Sequence, residues 1–470
     1  MPKPHQFAST TQLDDCLWQA AIDLTPFADS GGTQADVVIV GGGFTGLWTA
    51  YWLKKLAPQL HVTVLEKHRI GHGASGRNGG WLMGSLEGLP RFAQGSGKLS
   101  DGVLAELRGL LGAVANTLEE EAIDCDLRQG GGVFGASRYA AQEPRARAML
   151  RELHSLGFEE HDYRWLSAEE LQSRFRVSVP RGAIETPHVA TLHPGKLLRG
   201  LASAVIRRGV DVKEQCAALS FDKHTIDTSR GVIHPKHIVI ATEGYSEEAP
   251  MARRLLSVRS GMVCTEPMTD AQWTQLGFEG HEAFCDLSRA STYLQRTADN
   301  RLVVGARGNY TWGNKPWHSL AASQKGTHQR LHLAKALFPA LEGVAFTHAW
   351  EGSLGIPRRF APHIVFDSKA HMATAGGYMG EGVGASYLFG RTLAEGITGS
   401  TSSRLHMPWV MHGDIRQAIP RWEFEPLPWL GFSTMMAAVA LEDAMLSNNT
   451  PGTQLVTALC NALESLLGLH

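Results

Sequence analysis

One stretch near the start of the chain constrains the fold more than any other. The run Ala35–Val40 is apolar and β-branched, and it leads straight into Gly41-Gly42-Gly43-Phe44-Thr45-Gly46. A helical apolar pattern follows from Leu47 to Leu56 and stops before Pro58. A second β-branched run, His61–Leu65, ends at Glu66, twenty residues beyond Gly46. Each part has a physical task. Gly41 permits the tight turn, Gly43 lets the backbone approach a pyrophosphate seated on the positive end of the helix, and Gly46 lets helix and strand pack closely. Glu66 is placed to accept hydrogen bonds from a ribose diol. Strand, turn, helix, second strand and acid, all at these spacings, predict a dinucleotide site at the edge of a parallel sheet.

The α/β pattern returns twice. Gly195–Arg208 reads as an amphipathic helix, Val210–Val212 as a short strand and Ile238–Thr242 as a buried strand; later come the strand His371–Gly377 and a helix over Ala385–Ile397. Between these lie two excursions. Residues 90–185 are mixed and helix-rich, with helices expected at Leu104–Leu118 and Ala141–Leu156, and residues 260–355 hold strand-like pieces at Ser291–Arg296 and Arg301–Ala306 and a helix at Ser323–Leu337. One domain is therefore visited three times (1–90, 190–258, 355–400) and a second is inserted twice (91–189, 259–354). A chain of 470 residues, 43% apolar, is long enough for both cores.

The net charge of −2 leaves no footprint for nucleic acid. The six cysteines are scattered with no CxxC pair, which argues against a disulfide framework or a metal site and for a reducing cytoplasm. No window approaches about 18 uninterrupted apolar residues, so no membrane-spanning helix is expected. Residues 1–34 lack a signal-peptide stretch and read as a leader lying on the surface.

Two further segments are too glycine-rich for core. The first, Gly71-His-Gly-Ala-Ser75-Gly-Arg77-Asn78-Gly79-Gly80-Trp81, brings backbone against something flat or phosphorylated, with Ser75, Arg77 and Asn78 as donors to a pyrophosphate and a ring system. The second, Gly376-Gly377-Tyr378-Met379-Gly380-Glu381-Gly382-Val383-Gly384, ends a strand and starts a helix, whose N-terminal dipole suits the O2/N1 edge of a reduced flavin.

With GGGFTG, VLEK, GASGRNGG, IVIATEGY and GGYMGEGVG in this order, the chain resembles the D-amino-acid-oxidase-type superfamily of FAD-dependent oxidoreductases, most closely its γ-glutamylputrescine-oxidase-like branch, over about residues 12–435. The resemblance implies a discontinuous, Rossmann-like FAD-binding domain of the α/β class, with an inserted substrate domain whose mostly antiparallel sheet roofs the flavin. It implies that Gly41, Gly43, Phe44, Thr45 and Gly46 meet the pyrophosphate, and that Glu66, with Lys67 beside it, meets the adenosine ribose. Ser75, Arg77, Asn78, Gly79, Gly80 and Trp81 would lie along the pyrophosphate and flavin. Val212 would touch the adenine through its backbone, with Thr242 near the adenosine half. Gly377, Tyr378, Met379, Gly380, Gly382 and Val383 would lie at the isoalloxazine. Glu381 stands where many relatives carry histidine. His72 does not match the residue through which some relatives attach FAD covalently, so non-covalent FAD is expected.

The reaction the resemblance implies is oxidation of a C–N bond in a small amine or amino acid. Hydride passes to flavin N5, an imine hydrolyses, and oxygen or another acceptor reoxidises the cofactor. The residues expected to border the reacting group are Trp81, Tyr293, Trp350, Arg358 and Tyr378. A guanidinium at Arg358 suits a carboxylate or phosphonate on the substrate, with Arg296 and Arg307 as weaker candidates of the same kind. Two other readings stay open: a flavoprotein subunit without its own activity, and a nicotinamide-linked dehydrogenase. The tail, residues 401–470, is expected to be helical over Phe432–Leu446 and Thr453–Leu467. From Trp422 onward it has no Lys or Arg and five acids, and packing on the body, a subunit contact or membrane docking stay open as its role.

Overall fold

The computed structural model describes residues 13–467 except 14, 24, 28–33, 247–249 and 279. The leader lies partly outside these residues. Most of its described segment is exposed or half-buried, but Cys16, Leu17 and Trp18 are buried and anchor it, the Trp18 indole donating to the Asn78 carbonyl at 2.7 Å. Three apolar residues in a row are too few to reveal a period, which hid this anchor in the sequence.

Two sheets organise the molecule. The first runs Val410–His412, His363–Asp367, Met372–Gly376, Gly231–Ile240, Gln34–Val40, Val62–Leu65, Asp211–Lys213. The last four and Met372–Gly376 are mutually parallel. Strand Gln34–Val40 is central and buried on both faces, hence its unbroken apolar run. Val37 and Ile39 meet the helices Phe44–Leu56, Asp101–Glu120, Pro194–Arg207 and Gly382–Ile397, whereas Val38 and Val40 pack with Ile238, Ile240 and Ile419 on the other side. Gly390 lets the last of these helices close on Phe44–Leu56, for a Cβ there would lie 2.8 Å from that of Trp48.

The second sheet has the order Phe346–Pro357, Leu255–Thr265, Leu302–Tyr310, Thr292–Arg296, Ala283–Asp286, Gly132–Ala136, Gly182–Thr186, Arg164–Leu166. Every neighbouring pair is antiparallel except Ala283–Asp286 with Gly132–Ala136. Alternation divides its faces. Val133, Val263, Phe284, Leu294, Leu302 and Val304 form a core on one face with Leu171, Trp273 and Leu337. The opposite face, carrying Met262, Tyr293, Val303 and Trp350, is turned to the first sheet's glycine loops. The stretch read as helix-rich, 91–189, contributes three short strands to this sheet.

Helices Leu427–Ser447 and Thr453–Leu467 form a hairpin on the second sheet's side. The acids of this arginine-free tail find their bases on the body: Asp443 pairs with Arg138 at 2.6 Å, Glu442 with Arg145 and with Arg289 at 2.8 Å, and Glu464 with Arg289. The 21-residue helix Leu427–Ser447 is long and apolar enough, by length and composition, to cross a membrane, which the search for uninterrupted runs did not anticipate. Its Glu442 is buried in the ion network just described.

Candidate functional site

The first glycine turn is fixed by steric need. Gly41 has φ +111°, and a Cβ there would sit 2.6 Å from the Ala241 carbonyl. At Gly46 a Cβ would sit 2.0 Å from the Gly41 carbonyl, so the helix Phe44–Leu56 approaches its strand only because no side chain intervenes. Glu66 accepts from the Gly42 and His68 amides at 3.0 and 2.9 Å, and burial pushes its carboxyl above the usual range despite these donors. Lys67 is exposed beside it, and Val212 lies on the adjacent strand, paired with Val64. The Thr242 hydroxyl bonds that of Ser246 at 2.6 Å.

The loop 71–80 spends its polar side chains on itself. Ser75 Oγ accepts from the Phe44 amide at 3.0 Å; Asn78 donates to the Ala74 and Ser75 carbonyls and accepts from Gly80 at 2.8 Å. Arg77, fully enclosed, donates to the carbonyls of Trp317, His318, Ser319 and Glu351, clasping the 317–319 loop over the site. Here the expected ligand donors fold the loop, and glycine backbone faces the space they leave. A residue's polarity in sequence cannot say whether its partner is a ligand or its own main chain.

The second sheet presses on this loop. The Tyr293 ring lies where a Cβ at Gly79 (2.6 Å) or Gly305 (2.4 Å) would clash, and its hydroxyl bonds Ser260 Oγ at 3.1 Å. Gln295 donates to the Gly79 carbonyl at 2.5 Å. Trp81, in a short ribbon with Val189–Thr191, stands edge-on to Phe134 and Tyr293, with centroids at 6.2 and 6.0 Å. Its indole nitrogen is buried and has no partner among the described residues.

The last glycine motif meets the first. Tyr378 and Thr45 share a hydrogen bond of 2.9 Å between hydroxyls. Gly377, Met379 and Gly380 all have positive φ, Gly382 and Val383 open the helix Gly382–Ile397, and a Cβ at Gly384 would lie 2.2 Å from the Met83 carbonyl. The N-cap residues Gly43 and Glu381 give these two helices no side-chain cap, and Ser75 Oγ takes only the first amide of Phe44–Leu56. Two helix N-termini whose N-cap residues supply no side-chain acceptor, glycine turns that admit no Cβ, and an acid at the strand end fit a dinucleotide whose pyrophosphate lies on the first helix and whose ring lies before the second.

Other expected residues lie elsewhere. Trp350 is fully buried behind the loop, its indole donating to the Arg77 carbonyl at 2.9 Å. Arg358 pairs with Glu423 at 3.0 Å and lies over Trp422, so its guanidinium holds the tail. Arg296 is bound by Asn300 and lies over Trp273.

Three features escaped the sequence reading. Glu243, next to Thr242 and at φ +45°, accepts through one oxygen from the Gly244 and Gly355 amides and through the other from Gly377 and Tyr378, at 3.0 and 3.3 Å. It ties three distant segments at the site, and burial raises its carboxyl to about 6. His68, His72 and His318 bring their ring nitrogens within 4.8 Å of one another, with His72 held neutral down to about pH 3 by burial and the Arg77 charge. Burial, and after it the Glu87 charge, push the Glu381 carboxyl well above the usual range. Each grouping joins positions too far apart in sequence to leave a spacing signal.

Residues 36–396 match the model of the family described as FAD dependent oxidoreductase, DAO. The chain is 30% identical to the probable oxidoreductase OrdL of Rhizobium meliloti over 387 residues, 79% of this chain and 85% of that one. It is 28% identical to the gamma-glutamylputrescine oxidoreductase of Escherichia coli, across 77% of this chain and 84% of that one. Glycine oxidase from Geobacillus kaustophilus superposes with a TM-score of 0.65 at 22% identity, covering 79% of this chain and 96% of that one.

Proposed function

The chain belongs to the DAO family of FAD-dependent oxidoreductases, and from that premise we propose that it oxidises the C–N bond of an amine or amino acid in the cavity between Trp81, Tyr293 and the last glycine motif. FAD, when bound, supplies the acceptor for the substrate hydride. Gly41, Gly43 and Gly46 would hold its pyrophosphate, Glu66 its ribose, Val212 and Thr242 its adenosine half. Gly79, Gly80, Gly377, Gly380, Gly382 and Val383 would border its ring. Trp81 and Tyr293 wall the substrate space, exclude water and orient the carbon bearing the amine. No strong base is required of the protein, because the amine need only be neutral when oxidised.

The observation that carries this reading is the meeting of three segments at one point. Gly79 lies under Tyr293, Phe44 of the first glycine motif donates to Ser75 of the same loop as Gly79, and Thr45 bonds Tyr378 of the last motif, so the roof, the loop 71–80 and both motifs are joined. The experiment is the visible spectrum of the purified protein during anaerobic addition of amines. Bleaching of the band near roughly 450 nm, where oxidised flavin absorbs, by one amine class supports the reading, and air then separates oxidase from dehydrogenase. A flavin that no amine reduces refutes it. The exposed Phe424, Leu427, Leu455 and Leu466 of the tail favour a further role for that hairpin in contacting a subunit. Six free, buried cysteines accord with a cytoplasmic setting.

A further inference from the structure

We infer that His68, His72 and His318 form a binding site for zinc or a kindred first-row dication, which fastens the loop behind Glu66 to the 317–319 loop. The amine-oxidising reaction plays no part in this inference.

Three imidazoles from two distant segments converge. The ring nitrogens of His68, His72 and His318 all lie within 4.8 Å of one another. His72 Nε2 and His318 Nδ1 are 3.4 Å apart, across 246 residues of chain. A tetrahedral zinc with bonds of about 2.0–2.1 Å holds two ligand nitrogens about 3.3–3.4 Å apart. This pair therefore already stands at the spacing of a coordination edge, with each ring taking the tautomer that leaves its nitrogen bare. Closing the widest gap to that edge takes a shift of at most about 1.5 Å. His68 and His72 are half-buried and His318 is exposed, so the rings can make that shift and a fourth position is open to water.

The surroundings hold the three residues in place. The Glu66 carboxylate accepts from the His68 amide at 2.9 Å, and the His68 carbonyl accepts from the Gln215 amide at 2.7 Å. The His72 amide closes a turn onto the Arg69 carbonyl at 3.0 Å, and its ring stacks on that of His68 with centroids at 3.9 Å. Arg77 grips the carbonyls of Trp317, His318 and Ser319 and so presents His318. The Tyr245 hydroxyl donates to the Trp317 carbonyl at 3.2 Å, and its ring stands edge-on to those of His72 and His318, with centroids at 6.5 and 5.6 Å. Backbone fixed on both sides lets a site bind without refolding. An ion there would fasten by coordination the same seam that Arg77 clasps by hydrogen bonds.

The donor set chooses the ion. Three imidazoles with no carboxylate suit zinc and its first-row neighbours, whereas magnesium and calcium want oxygen. Cysteine spacing carried no metal signal because no thiolate takes part. The charges of Arg77 and Lys67 act on His72. A dication meets them as like charge, so its affinity should fall short of that of a structural zinc finger.

The test uses the untagged, FAD-loaded full chain, stripped with EDTA and titrated with zinc chloride by calorimetry near neutral pH. The wild type should bind one zinc per chain with a dissociation constant of about 1 µM. His68→Ala, His72→Ala and His318→Ala should each weaken it at least about 10-fold. His161→Ala, at an exposed histidine elsewhere, should leave it unchanged. Magnesium and calcium chloride should show no binding. His318 is exposed, so its variant keeps the fold even where His72→Ala does not. Zinc at about 100-fold above its dissociation constant should raise the thermal midpoint of the wild type and leave that of His318→Ala unmoved. A wild-type constant weaker than about 100 µM, or equal constants in the wild type and His318→Ala, means scattered surface histidines and overturns the site. A site that fills without moving the midpoint overturns its role as a fastener.

Discussion

Replacing Glu243 by glutamine changes one atom's chemistry at the junction of three segments. Each carboxylate oxygen accepts two backbone amides: Gly244 and Gly355 on one, Gly377 and Tyr378 on the other. An amide group in the same place offers one oxygen and one NH2, so whichever way it turns, two backbone donors face another donor. A buried N–H left unpaired costs about 1–3 kcal/mol, so two cost about 2–6 kcal/mol. Against this stands relief of a confined charge. The carboxyl is raised from 4.5 to about 6, a displacement worth about 2 kcal/mol above pH 6. The net loss at pH 7.5 centres on about 2 kcal/mol, or roughly 30-fold in an equilibrium constant. Because Gly377 and Tyr378 belong to the last glycine motif, the loss should fall on FAD. Titration of apoprotein with FAD, followed by flavin fluorescence, should show a correspondingly weaker dissociation constant for Glu243→Gln. A variant that binds FAD within about threefold of wild type, with an unchanged thermal midpoint, would refute the view that this carboxylate fastens the site.

The same residue sets a pH dependence. Its folded pKa is raised, so its contribution to stability is complete below about pH 4.5 and is lost as pH rises to about 6, some 2 kcal/mol that Glu243→Gln should not show in unfolding curves across that window. Gly46→Ala places a Cβ 2.0 Å from the Gly41 carbonyl, and the purified protein should carry no flavin; a normal ratio of flavin to protein absorbance would contradict the steric argument. Arg289→Ala leaves the buried Glu442 with Arg145 as its one base among the described residues and the partly buried Glu464 without Arg289, at a cost of about 1–3 kcal/mol, and limited proteolysis should cut the tail hairpin sooner than in wild type. Arg358→Ala removes a half-exposed pair with Glu423 and a cation–π contact with Trp422, so it should cost about 1–2 kcal/mol and leave the KM for anionic amines unchanged.

The cofactor frame was legible because it is made of glycines at fixed offsets between β-branched runs, and sterics leave no other residue for Gly41 or Gly46. The helices followed from their periods: Thr453–Leu467 has the bounds expected, and Gln324–Leu337 differs by one residue. The second sheet was harder. Strands such as Gly132–Ala136 and Arg164–Leu166 are too short for a two-residue period to stand out, and their pairing joins residues far apart in the chain. Side-chain roles were the least legible. Arg77 and Asn78 look like ligand donors until their carbonyl partners are known, and Arg358 until the tail is seen to lie across it. Glu243 and Glu381 owe their character to enclosure, which no local pattern records.

The bond between Thr45 and Tyr378 spans 333 residues. On a ribosome working at about 5–20 residues per second, roughly 20–70 s separate the appearance of its two ends. For the first part of that interval the central strand Gln34–Val40 waits for Gly231–Ile240 to cover its edge, and for all of it the phosphate turn has no partner for the ring. Loading of the flavin is therefore a late event in the life of each molecule, and nascent chains arrested before Tyr378 should emerge colourless.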